Sequence, residues 1–211
     1  ADVVPITGEN RILAHFGLKR LNLSPRPGLE SILFYSNIFK KGEPDSETCF
    51  TRQINITDLM FLIGPKINAA GRIENGKKAV DLLLCDAMGD THELSLDIND
   101  NNTERRSLDS SITLQAHKMI KQDPAMKNAR ATVLYDPSWH KGVIGIVASR
   151  LIETHYRPTI ILTESNGLIT GSARSVKGFD VYNAIDACSD YIEHFGGHMY
   201  AAGLTLKPEN F

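Results

Sequence analysis

The spacing of apolar residues changes character near residue 131 of the 211-residue chain. Before that point apolar residues recur every three or four positions, as they do in amphipathic helices. After it, short apolar runs alternate with helical stretches, which is typical of α/β domains. The sequence therefore predicts an α/β fold: a mixed sheet flanked by helices, preceded by a long helix and further helical segments. The predicted strands are 131–135, 158–163, 167–173 and 202–206.

The first predicted helix covers residues 9–22, with Ile12, Leu13, Phe16 and Leu21 near one face. Prolines after this segment end the helix, because proline interrupts helical hydrogen bonding and constrains the residue before it. The other predicted helices are 29–39, 59–63, 77–85, 90–122, 143–155 and 180–195.

Short sequence signals predict where several of these elements begin or end. Thr57-Asp58 is the predicted N-cap of the helix over 59–63, and Gly64-Pro65 is predicted to interrupt it. Gly196 is predicted to end the helix over 180–195, since glycine is common just past a helix C-terminus. Asn166-Gly167 predicts the turn of a β-hairpin.

The domain organisation is predicted from two contrasting stretches. Residues 40–52 are polar with Gly and Pro, which indicates a linker, and a domain boundary is expected there or in the long helix that follows. Residues 90–122 carry a heptad-like apolar stripe. We interpret them as one long helix that bridges two domains rather than as a coiled coil. The stripe consists of Leu94, Ile98, Leu108, Ile112 and Met119.

Composition narrows the function classes. The hydrophobic fraction of 42% is ordinary for a globular protein, and the net charge of −2 argues against an unaided, nonspecific duplex binder. A locally basic cleft stays compatible with that charge. No apolar run approaches the ~20 residues that span a bilayer, so no membrane association is predicted. The three widely spaced cysteines indicate a reducing compartment, and a cytoplasmic location is predicted.

Three glycine- and alanine-rich segments carry the candidate chemistry: 68–72, 171–175 and 195–203. Small residues let a ligand approach the backbone, and glycine-rich turns with a donor beside them are common anion sites. The arginines of the first two segments offer a planar fork of donors that matches phosphate or carboxylate. The alternative for both arginines is a surface salt bridge. The candidate residues are Asn68, Arg72, Ser172, Arg174, Ser175, Gly196, Gly197 and His198.

Two further residues are weaker candidates. His140 precedes Gly142 in a predicted strand-to-helix turn, where free N–H groups at the helix N-terminus bind anions. The alternative is a capping turn with Trp139 packed beneath it. Asp2 lies beside an apolar run and is a possible ligand for Mg²⁺ or Mn²⁺, although one carboxylate does not make a site.

Together these segments resemble the RecJ family of single-strand-specific 5′→3′ DNA exonucleases, within the DHH phosphoesterase superfamily. The resemblance covers nearly the whole chain, in five ordered motifs. They are ADVVPITGENR at 1–11, INAAGR at 67–72, WHKGVIGIVASRL at 139–151, GSARS at 171–175 and FGGHMYAAG at 195–203.

The resemblance implies a fragment of a larger protein with three parts. Residues 1–40 would be the truncated end of the DHH catalytic domain, and 41–122 a linker and long connector helix. Residues 123–211 would be the DHH-associated substrate-binding domain. Asp2 matches a metal-binding aspartate of the catalytic domain. The other residues of a centre that holds two Mn²⁺ or Mg²⁺ ions are absent from this sequence, so no catalytic set is complete and the fragment alone is expected to be inactive.

The resemblance also implies roles for the remaining candidates. Arg72, Ser172 and Arg174 match residues that hold the 5′ phosphate or nearby backbone of single-stranded DNA. The Gly196-Gly197-His198 segment matches a substrate-binding turn. Lys66 departs from the family, which more often has arginine there, and lysine lacks the bidentate fork.

The function predicted is thus the C-terminal part of a metal-dependent single-stranded-DNA exonuclease of DNA repair and recombination, with a 5′-phosphorylated single strand as its partner. One alternative is a superfamily phosphodiesterase for short oligonucleotides or cyclic dinucleotides. The other is a non-catalytic nucleic-acid-binding module.

Overall fold

The computed structural model describes residues 4–211. The chain divides into two compact units, Ala1–Arg105 and Arg106–Phe211. The three-part division expected from the sequence, at residues 40 and 122, stays a prediction. No helix of the described part is both long and apolar enough to cross a membrane.

The first unit consists of helices around one apolar core. Phe50, Ile32, Leu33, Ile54 and Leu82 are its largest fully buried side chains. Phe50 belongs to the stretch predicted as a linker, which therefore contributes to this core. The helices are α1 (Gly8–Leu23), α2 (Pro27–Phe34), α3 (Ile56–Asp58), α4 (Gly64–Ile73), α5 (Lys77–Leu84) and α6 (Met88–Gln122), which continues into the second unit.

The predicted break at Gly64-Pro65 is wrong. A π-helical turn, Leu59–Ile63, joins α3 directly to α4. The Gly64 N–H donates to the Leu59 carbonyl five residues back, and Pro65 follows it directly. The π-turn therefore shifts the hydrogen-bond ladder at the point where a residue without an N–H enters the helix. The N-cap also differs from the prediction: Asn55 caps α3 in a reciprocal capping box with Asp58.

The first helix forms where predicted, but its predicted apolar face is not buried. Ile12, Leu13 and Phe16 are exposed, whereas Leu21 and Asn22 face the core. Asn22 donates to the Ile54 carbonyl at 2.8 Å and accepts from the Ile54 amide at 2.8 Å. A buried amide with both groups satisfied thus anchors the last turn of α1.

The second unit is a mixed sheet with helices, as predicted, but the sheet has five strands where four were predicted. The strand order is β1-β2-β3-β5-β4, in which only β1 and β2 run parallel. Helix α7 (Ile144–Thr154) forms the crossover from β1 to β2 and packs against β2 and β3. The strands are β1 (Thr132–Tyr135), β2 (Thr159–Ser165), β3 (Leu168–Arg174), β4 (His194–His198) and β5 (Ala201–Leu206).

The β2–β3 hairpin confirms the predicted Asn-Gly turn. Asn166 and Gly167 have φ values of 55° and 75°, the left-handed conformation that this turn requires. Alternation along β3 then separates two faces. Ile169 and Ala173 face one apolar core, whereas Ser172 and Arg174 face the side that carries α7.

The predicted helix over 180–195 is wrong in its second half. Helix α8 covers only Val181–Asp186, a 3₁₀ turn covers Ser189–Tyr191, and β4 follows. Pairing with the adjacent β5 satisfies the backbone of β4. The Gly196-Gly197-His198 segment is therefore an edge strand and not a turn.

Candidate functional site

The register of three strands brings four of the ten predicted site residues together on one face of the second unit: Ser172, Arg174, Gly196 and His198. Partners in a ladder point to the same side of a sheet, so each row across β3, β5 and β4 shares a face. The first row is Arg174, Ala201 and His198, and the second is Ser172, Gly203 and Gly196.

Arg174 is held in place by its own strand. Its Nη1 donates to the Ser172 hydroxyl at 2.9 Å and to the Ala173 carbonyl at 2.8 Å. Both hydrogen bonds fix the half-buried guanidinium on the α7 side of the sheet. Such a fixed donor fork is suited to an oxyanion, because little side-chain freedom remains to be lost on binding.

Gly145, in the first turn of α7, makes this arrangement possible. A Cβ atom at this position would lie 2.9 Å from Arg174 Nη2 and 2.9 Å from Ser172 Oγ. The guanidinium therefore lies directly against the N-terminal turn of an 11-residue helix. Gly145 is not among the predicted site residues, although a glycine inside an otherwise apolar helix is a signal of close approach.

The electrostatics of this contact favour an anion. The N-terminal end of a helix carries a partial positive charge and first-turn N–H groups without intrahelical partners. A guanidinium beside it adds a full positive charge, so an anion at this place would be attracted by both. The Ser172 hydroxyl supplies a further polar group at the same place. The arrangement can bind a phosphate or a carboxylate.

The face of the sheet beside Arg174, here called the floor, is open at Gly196 and Gly203. A Cβ atom at Gly196 would meet nothing within 4 Å, and one at Gly203 would meet only the Gly171 carbonyl oxygen at 3.9 Å. Gly197 differs, since its φ is 150° and a Cβ atom there would lie 2.2 Å from the Ala201 oxygen. Gly197 is thus required by the strand itself, whereas Gly196 and Gly203 leave surface accessible to a ligand.

His198 and Ser175 lie at the end of this face. The Nδ1 of exposed His198 accepts from the Tyr200 amide at 3.3 Å, which leaves Nε2 as the nitrogen directed away from the turn. Ser175 donates from its hydroxyl to the Phe179 carbonyl at 2.7 Å and from its amide to the Tyr200 carbonyl at 2.9 Å. Ser175 therefore shapes the loop after β3, and its hydroxyl proton is already engaged.

His140 lies in the turn before α7. Its Nδ1 accepts from the Gly142 amide at 3.2 Å, and Trp139 is buried beside it with its indole N–H donating to Gln115 at 2.9 Å. The structure therefore contains the turn with Trp139 packed beneath it, which was the alternative interpretation for His140. A role of His140 in anion binding stays a prediction.

Asn68 and Arg72 belong to the first unit, where they lie on α4 rather than in a glycine-rich turn. Arg72 is exposed in the last turn of the helix, and Asn68 is half-buried one turn earlier. Both line a shallow groove that also includes Gly71 and Val80. A Cβ atom at Gly71 would make only an ordinary contact, at 3.7 Å from Gly76 Cα.

Lys66, the departure from the family pattern, is buried in the first unit. Its ammonium donates to the Tyr35 carbonyl at 2.7 Å and to Asn99 Oδ1 at 2.9 Å. Burial lowers the pKa of Lys66, because the charged form loses water there. These contacts give Lys66 a structural role between α2, α4 and α6.

The predicted metal ligand Asp2 lies outside the described residues. Within residues 4–211, no three His, Cys, Asp or Glu side chains whose placement is described cluster as metal ligands do. No step of hydrolysis is therefore assigned to the described residues.

Three comparisons relate this chain to known proteins. Residues 128–211 match the DHHA1 domain model. The whole chain is 39% identical to the single-stranded-DNA-specific exonuclease RecJ of Bacillus subtilis, of which it covers 25%, and 32% identical to RecJ of Thermus thermophilus, of which it covers 28%. The chain thus spans about a quarter of the length of these relatives.

Solved structures of RecJ proteins are also similar to this chain in fold. A crystal structure of RecJ from Thermus thermophilus in complex with Mn²⁺ matches 100% of this chain with a TM-score of 0.79 and 32% identity, over 29% of that protein. The same RecJ in complex with Mg²⁺ has a TM-score of 0.79, and an exonuclease RecJ bound to manganese has 0.76. Each similarity extends over both units.

Proposed function

The chain is homologous to part of the RecJ exonucleases, with a DHHA1 domain at its end, and we propose from this premise that it binds single-stranded DNA at its 5′ phosphate. It would do so as the substrate-binding part of an intact protein that hydrolyses DNA from the 5′ end, in repair and recombination. The observation that carries the proposal is the Arg174 guanidinium, fixed by Ser172 against the N-terminal turn of α7.

Each residue of the face has a place in this proposal. Arg174 and Ser172 bind the phosphate, whose charge also suits the helix N-terminus. Gly196 and Gly203 let the strand lie on the backbone of the sheet, and His198 borders the strand at the edge. These contacts position the 5′ end, which is orientation rather than bond breaking.

The cofactor and the location follow as parts of the same proposal. The solved RecJ structures contain Mn²⁺ or Mg²⁺, and we propose one of these metals for the intact protein. Asp2 is proposed as one of its ligands. The three cysteines are all free, which supports a cytoplasmic location.

Fluorescence anisotropy with two short single-stranded DNAs tests the proposal. Both carry a 3′ label at fixed low salt, and one has a 5′ phosphate where the other has a 5′ hydroxyl. We expect tighter binding of the phosphorylated strand. Equal affinity for both strands would contradict the terminal-phosphate site. Tight binding of cyclic or very short nucleotides without binding of longer strands would favour the small-substrate phosphodiesterase instead.

A further inference from the structure

The turn between β4 and β5 presents unusually apolar side chains to solvent. Tyr200 is 48% exposed, Met199 is 40% exposed, and Phe179 in the neighbouring loop is 41% exposed. Tyr200 lies edge-on to His198, with ring centroids 6.4 Å apart and planes at 71°. About half of Tyr200 is thus open to solvent and accessible to a ligand.

The turn is fixed in position despite its exposure. The Tyr200 carbonyl accepts from the Ser175 amide at 2.9 Å, and the Met199 carbonyl accepts from the Val181 amide at 3.1 Å. Ser175 directly follows Arg174 in the chain. The backbone of Tyr200 is therefore tied to the residue that follows Arg174.

The register sets the separation of the two groups. Arg174 and His198 are two strands apart in one row, which corresponds to about 10 Å between their backbones at the usual strand spacing. Ala201 lies between them and Gly203 lies in the next row, so no large side chain of the sheet lies between Arg174 and His198. A chain that is bound by its phosphate at Arg174 can follow this floor towards Tyr200.

We propose that Tyr200 is a base-stacking residue, which binds the face of a base close to the phosphate held by Arg174. The inference rests on the proposed function, because it takes the ligand to be single-stranded DNA. Exposed aromatic side chains on a sheet stack unpaired bases in other nucleic-acid-binding proteins, and stacking is tolerant of sequence because every base has a π-face. This would let one site accept any 5′-terminal sequence.

The test combines variants of Tyr200 with strands that lack bases. The chain is titrated with 5′-phosphorylated single strands that carry either normal bases or abasic sites at the first nucleotides. Tyr200→Ala removes the ring, Tyr200→Phe keeps it, and Tyr156→Ala removes an exposed tyrosine elsewhere in the same unit as a matched control. A 5′-hydroxyl strand is titrated in parallel.

We expect Tyr200→Ala to weaken binding of the normal strand by about 5- to 150-fold, the range for one stacked base. Tyr200→Phe and Tyr156→Ala should bind like the parent chain. On the abasic strand, the parent chain should bind weakly and Tyr200→Ala should make no further difference. The preference for a 5′ phosphate should persist in Tyr200→Ala.

Three outcomes would overturn the inference. Equal losses of affinity for normal and abasic strands would mean that Tyr200 stabilises the turn and does not stack on a base. Unchanged affinity in Tyr200→Ala, with the phosphate preference intact, would reject stacking and leave the proposed function standing. Absence of binding to every strand would reject both. A base-dependent loss without any phosphate preference would instead support stacking and reject the terminal-phosphate site.

Discussion

Arg72 and Arg174 follow similar small residues in the sequence but occupy different kinds of structure. Arg174 is half-buried at the end of a strand, where Ser172 and the first turn of α7 fix its guanidinium. Arg72 is exposed in the last turn of α4, beside a shallow groove of the first unit. One sequence signature therefore provides a preorganised donor in one unit and a solvent-facing cation in the other.

The glycines near the two arginines show the same contrast. Gly145 and Gly197 stand where a side chain would collide with neighbouring atoms, while a methyl group at Gly71 would fit. In the second unit Gly145 and Gly197 are thus geometric requirements, whereas Gly196 and Gly203 are not. In the first unit Gly71 is not a requirement either, and the comparison can be tested one residue at a time.

The largest effect is expected for Gly197→Ala. Its φ of 150° is strained for alanine, and its Cβ would lie 2.2 Å from a backbone oxygen. We expect a loss of about 2–4 kcal/mol in the free energy of unfolding, measured by urea denaturation. Gly196→Ala, where space is open, is the matched control. Equal losses in the two variants would refute the distinction between crowded and open glycines.

The next effect concerns DNA affinity. Arg174→Ala should weaken binding of 5′-phosphorylated single strands by about 1–3 kcal/mol and should affect 5′-hydroxyl strands much less, because the contact is charge-assisted and specific to the terminus. Arg72→Ala should weaken both strands alike and by a smaller amount, since an exposed cation is screened by solvent. Anisotropy titrations of both variants check this. A phosphate-specific loss in Arg72→Ala alone would reverse the roles of the two arginines.

A smaller and opposite effect is expected for Gly71→Ala. Helix α4 accommodates the methyl group, and alanine has the higher helix propensity, so the free energy of unfolding should rise by about 0.5–1 kcal/mol. Urea denaturation measures it. A destabilised variant would show that Gly71, like Gly197, is required by its surroundings.

The smallest effect is a pH dependence in the second unit. Burial lowers the pKa of His155, and the neighbouring His117 and Arg157 lower it further. Between this lowered pKa and the unfolded value of about 6.5, the unfolded chain binds more protons. The free energy of unfolding should therefore decrease as the pH falls below about 6.5. Denaturation at several pH values should show a smaller decrease in His155→Gln, and an identical pH profile would contradict this assignment.

In the second unit the sequence predicted strand β3 better than the helix before Gly196 and Gly197. Alternating apolar residues and the Asn166-Gly167 turn located β3 correctly, and its small residues did indicate the site. Residues 192–195 belong to the predicted helix over 180–195, which Gly196 was expected to end, whereas β4 begins at His194. Strand β4 pairs with β5, and such pairing is invisible to a local pattern.

Two other features could not be predicted for related reasons. The continuation of the helix through Pro65 depends on a π-helical turn, which has no simple sequence signature. The contact of Gly145 with Arg174 joins residues that are far apart in sequence, so it becomes visible only when the register of β3 and the position of α7 are known. The residue types of the site were thus predictable, while their mutual geometry required the fold.

The most direct test of the central claim is NMR mapping of backbone amides in this chain. Spectra are compared with 5′-phosphorylated and 5′-hydroxyl forms of the same short single strand. The account predicts that the difference between the two forms is concentrated at the amides of Gly145, Ser172 and Arg174. Differences confined to α4 around Arg72, or no difference between the two strands, would contradict a terminal-phosphate site on the sheet of the second unit.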